Sequence, residues 1–163
     1  MKTEAAQKLI SVSLDCSEKI NDSISLVLNT CDEAHFYSYR RLAGLAMGYL
    51  FTEILAPIYN SIPDLAPEWM RTSAVDEPQT HSVQSHLASH VWTPSGPIQR
   101  KTAEAVVATL RAVACELEEM TDYIREHCDP GEAPSYCEGV REVLMHVSSA
   151  EQMIFDEHPD LKR

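Results

Sequence analysis

Glycine is scarce in this chain, with five in 163 residues, and long stretches show no alternation of β-branched and polar side chains. Both absences argue against sheet and for helix. No GxGxxG turn and no P-loop occurs, which removes the common phosphate-cradling motifs. No serine, cysteine or threonine sits in a nucleophile elbow. HExxH is missing, and so are the Glu-x-x-His pairs with which helical bundles hold two irons or manganeses. Glu33-Ala34-His35 has the wrong spacing, and neither His127 nor His146 follows a glutamate by three residues.

Positive charge is also in short supply. Thirteen Lys and Arg stand against 25 Asp and Glu, a net of −12. Residues 114–163 hold 13 of the acidic side chains and only 4 basic ones. Such a surface repels phosphate backbones and anionic lipid, so no nucleic acid and no membrane is expected as a partner; a basic protein is. The five cysteines show no CxxC spacing. Cys16, Cys31 and Cys115 fall at or beside apolar helix positions and are expected to pack as small hydrophobes. Cys128 and Cys137 flank a loop and can pair if their helix ends meet, although a reducing cytosol keeps them as thiols. The opening Met-Lys-Thr-Glu-Ala-Ala-Gln-Lys lacks the apolar core of a signal peptide, and a cytoplasmic location is expected.

At 44% apolar residues the chain has the material for a core, and its length suits a single domain spanning residues 1–163. The spacing predicts four main helices, about 3–29, 33–60, 97–128 and 134–157. In the first, Leu9, Ser13, Cys16, Ile20, Ile24 and Val27 step by three and four along one face. Thr30 or Asp32 is placed to cap the second. That helix is nearly all apolar from Leu42 to Tyr59, at the lower limit for a membrane span but interrupted by Glu53. A buried central helix accounts for it better. Gly44 and Gly48, one turn apart, are expected to admit a neighbouring helix, and Pro57 to kink or loosen the last turns.

The third helix carries the clearest seam: Ala103, Val106, Leu110, Val113, Leu117, Met120 and Ile124. The fourth repeats it with Tyr136, Val140, Val143, Val147, Ala150 and Ile154. Short turns predict that helices one and two form one hairpin and helices three and four another. Prolines 63, 67, 78, 94 and 97 punctuate the connection between them. The expected fold is therefore all-α: an antiparallel, up-down four-helix bundle, two hairpins joined by a long proline-rich crossover, 62–97, with one or two short helices.

Glu53 is the main candidate ligand or buried charge, because a carboxylate inside the most apolar helix needs a partner or a shifted pKa. Tyr49, one turn before it, and Arg40 and Arg41 are its candidate companions. The two arginines otherwise pair with acidic neighbours or meet a phosphate. His86 and His90, spaced i, i+4, are candidate ligands for a divalent transition metal, with His81 a third. Two imidazoles alone do not complete a site, and the leading expectation is no cofactor. Trp69 and Trp92 bracket the crossover as anchors, or as an interaction surface if exposed.

The absence of a catalytic constellation favours a helical interaction protein of the adaptor, inhibitor or immunity type, more in keeping with these residues than an enzyme. It would bind a protein partner through the acidic C-terminal hairpin or the crossover, or pair with a second copy as a homodimer. A metal- or small-ligand-binding bundle using the crossover histidines and Glu53 is the alternative. A third reading, an enzyme with an unrecognised site, predicts a closed polar pocket around Glu53.

Overall fold

A computed structural model of the chain describes residues 1–28, 30–72 and 96–163. All regular structure among them is helical. In chain order these are α1 (Thr3–Leu28), α2 (Glu33–Tyr49), a π-helical turn (Leu50–Leu55), α3 (Ala56–Ser61), a 3-10 turn (Pro63–Leu65) and α4 (Glu68–Thr72), then α5 (Arg100–His127), α6 (Ala133–Glu157) and a closing 3-10 turn (Pro159–Lys162).

The predicted seams become the interior. All seven seam residues of α5 and all six of α6 are buried. On α1 the buried line runs Ala6, Leu9, Ser13, Cys16, Ile20, Ser23 and Val27, with Ile24 only partly covered. On α2 it runs Phe36, Tyr39, Ala43 and Ala46, then Leu50 and Ile54 in the π turn. Helix α1 packs against α2 and α5, and α6 packs against α2 and α5. The interior includes one polar pair. Ser23 Oγ donates to the Ile20 carbonyl at 2.6 Å and lies 2.6 Å from the Tyr39 hydroxyl, so the tyrosine is the donor to serine. Burial pushes the Tyr39 phenol up to about 12.

Asp32, rather than Thr30, caps α2. Its Oδ1 accepts the His35 backbone N–H at 3.0 Å and lies 2.6 Å from His35 Nδ1; Thr30 Oγ1 donates to the Val27 carbonyl at 3.0 Å instead. Asp32 Oδ2 reaches across the fold to accept the Gly96 N–H at 3.2 Å. The backbone amides of Asp32 and Gln99 complete the joint, donating to the carbonyls of Gly96 and Thr30. Glu157 Oε2 accepts the Ile98 N–H at 3.0 Å, while its Oε1 lies 3.4 Å from His35 Nε2. This network explains why α5 begins at Arg100 and not at Pro97. The amide of buried Ile98 is already taken by Glu157, and its carbonyl lies 2.7 Å from His158 Nε2.

Pro57 acts one turn earlier than expected. Its ring conflicts with the carbonyl four residues back, that of Glu53, and the rod widens into a π turn ending at Leu55. There the Ala56 N–H donates to the Phe51 carbonyl. The expectation for Gly44 and Gly48 is also corrected, since a Cβ on either would meet nothing within 4 Å. The close helix approach is at Gly139 of α6 instead. A Cβ there would stand 2.7 Å from Glu53 Cβ and 3.1 Å from Ile54 Cδ1. Cys16 and Cys31 are buried as expected, but Cys115 is exposed. Position 115 lies between buried Val113 and Leu117 and faces away from both.

Candidate functional site: the outward face of α2

A helix with a single buried stripe must present its opposite side to water. On α2 the side opposite Phe36, Tyr39, Ala43 and Ala46 carries Tyr37, Arg41, Gly44, Leu45 and Gly48, all exposed. Tyr37 is 42% exposed and Leu45 38%, and Phe51, in the following π turn, is 37% exposed. The Tyr37 ring also packs edge-on against Phe36, with centroids 5.6 Å apart. A shallow concavity of about 390 Å³ lies on this face between Tyr37, Arg40, Arg41, Gly44 and Leu45. From Ala34 to Thr52 there is no Asp or Glu.

The structure separates the residues that the sequence grouped around Glu53. Glu53 is exposed, not buried, and Thr52 Oγ1 donates to its Oε1 at 3.0 Å. Its Cβ lies beside Gly139 of α6. The closed polar pocket expected around it does not form, because its neighbours Ile54 and Leu55 fill the interior. Tyr49 turns instead toward α6, where its ring stacks on His146 at 4.8 Å. Arg40 and Arg41 stand thirteen and twelve residues before Glu53 on the same rod, about 18–20 Å away at the helical rise. Among the described residues no carboxylate comes within ion-pair distance of either arginine. Within those residues, the acidic neighbours expected to neutralise them are not there.

His81, His86, His90 and Trp92 lie outside the described residues. Within those described, no group of three or more His, Cys, Asp or Glu is arranged to hold a metal ion. Trp69 is 62% exposed on α4, the case in which the sequence marks it as a candidate interaction surface.

No protein-family profile, curated protein or solved structure matches this chain. The site must be judged on its own chemistry.

One other concavity was invisible in the sequence. A groove of about 340 Å³ between α1 and α5 is lined by Lys8, Val12, Lys19, Glu116, Met120 and Tyr123 among others. Lys19 and Glu116 form an ion pair across it, and Cys16 Sγ lies 3.6 Å from Glu116 Oε2. Burial, and then the Glu116 carboxylate, push the Cys16 thiol up to about 12. That thiol is a poor nucleophile at neutral pH, and the groove reads as a helix–helix joint. Its charges were legible but their pairing was not, since residues 19 and 116 meet only through tertiary packing.

The rod containing α2 and α3, Glu33–Ser61, is long and apolar enough by length and composition to cross a membrane. Its apolar residues divide between the interior and the exposed face just described.

Proposed function

We propose that this chain is an antiparallel, up-down four-helix bundle acting as a cytoplasmic protein-interaction module, with the outward face of α2 as its docking surface. The order of contacts supports the arrangement. His35, Tyr49 and Glu53 meet Glu157, His146 and Gly139 in turn, so α2 and α6 run opposite ways. Arg111 pairs with Glu151 across the α5–α6 hairpin at 2.9 Å, and a four-residue connection joins α1 to α2.

One observation carries the docking reading. Leu45 and Phe51 stand in water beside two glycines with open space above them and two arginines without a described carboxylate partner. Isolated exposed apolar residues are ordinary, but exposed apolar side chains beside arginines with no described carboxylate partner fit an interface better than a solvated surface. The acidic C-terminal hairpin is the less favoured surface. Arg111, Arg125 and Arg141 already pair with several of its carboxylates.

Leu45→Asp tests this against Leu14→Asp, a control at a somewhat more exposed position of α1. In extract of the native host, wild type and the Leu14 variant are expected in a species larger than the monomer on size exclusion, and the Leu45 variant at monomer size. Circular dichroism should be unchanged in all three. A wild-type chain that elutes as a monomer in extract would contradict the proposal.

A further inference from the structure

We infer that the partner taken by the outward face of α2 is an amphipathic helix whose flanks are acidic, an inference that rests on the docking reading above. The charge of the face is the first ground. In a chain of net −12, the stretch Ala34–Thr52 has Arg40 and Arg41 and no carboxylate. An interface that covered the two guanidinium groups with neutral or basic side chains would leave buried charge uncompensated. Carboxylates on the partner supply bidentate acceptors and steer its approach.

The shape of the face is the second ground. From Tyr37 to Gly48 the exposed face runs about 17 Å at the helical rise, about three turns of a facing helix. Gly44 and Gly48 leave room for small or apolar side chains of that helix between Leu45 and the arginines.

A second copy of this chain fits less well. Apposed α2 faces would bring four arginines into one interface, and the carboxylates of the rod, Glu33 and Glu53, lie only at its two ends. An anionic bilayer suits the two arginines but not a chain of net −12.

The test places a photo-crosslinking phenylalanine at Leu45, with Leu14 as the control position, in extract of the native host, and sequences the cross-linked peptide. The expected product is a peptide of another protein with Asp or Glu at i, i+3 and i, i+4 around an apolar stripe. Arg40→Glu with Arg41→Glu is expected to cut its yield about tenfold or more, while circular dichroism and labelling from position 14 stay as in wild type. Cross-links to a basic or uncharged segment, to a second copy, or with a yield indifferent to the arginine reversal overturn this inference and leave the docking face standing. So does sedimentation of the chain with vesicles of phosphatidylserine and phosphatidylcholine. No product above the Leu14 control overturns both.

Discussion

Gly139 is where a single atom decides the fit of two helices. An alanine methyl would arrive 2.7 Å from Glu53 Cβ, and that carbon is the root of its side chain, so the rod itself has to shift. Overpacking of this kind costs about 1–3 kcal/mol, more than the ~1 kcal/mol that alanine gains over glycine in a helix. Gly139→Ala should therefore lower the urea midpoint. Gly44→Ala and Gly48→Ala, in open space, should each raise it, by roughly 0.5–1 kcal/mol in stability. Equal shifts at all three positions would show that Gly139 is not a close contact. The sequence offered the wrong pair, because GxxxG spacing is visible on one strand of text while a contact needs two. Gly139 sits one residue from the α6 seam, and only its neighbour Glu53 on another helix makes it special. The same limit hid the Ser23–Tyr39 bond, whose two members are sixteen residues apart.

Among the elements, α5 and α6 were the most legible, because a sustained three-four step of apolar residues has one reading in water. Helix α2 was the least. Its apolar residues run all round, and the sequence does not say which face is covered; the structure covers Phe36, Tyr39, Ala43 and Ala46 and leaves Leu45 out. Glu53 was misplaced for the same reason, together with the π turn that Pro57 imposes nearby. At the start of α2, Asp32 both caps the helix and ties it to Gly96. The His35 backbone N–H, then the His35 side chain, hold its carboxyl below the ordinary aspartate value of 3.8. A depressed native pKa means that the contribution to stability is present above 3.8 and is lost as the pH falls through the lower native value. Asp32→Asn keeps a competent cap but removes this proton linkage. Urea unfolding from pH 5 down to pH 2 should show the wild type losing stability more steeply than the variant. Parallel pH curves would contradict the role given to Asp32.

On the scale of the whole molecule, charge and apolar surface are distributed unequally, and the proposed docking face rests on that asymmetry. Carboxylates crowd residues 114–163, where α5 and α6 pair many of them internally, while α2 presents arginines and leucine to water. The chain thus spends one face of its most apolar helix on the interior and keeps the other available. The most direct measurement is hydroxyl-radical footprinting of the wild-type protein, read by mass spectrometry at single residues. Tyr37, Leu45 and Phe51 are expected to oxidise readily, and Phe36, Tyr39, Leu50 and Ile54 to stay unmodified until the protein unfolds. Protection of Leu45 and Phe51 in the isolated chain, or oxidation of Tyr39 and Leu50 alongside them, would contradict the division of α2 on which the account depends.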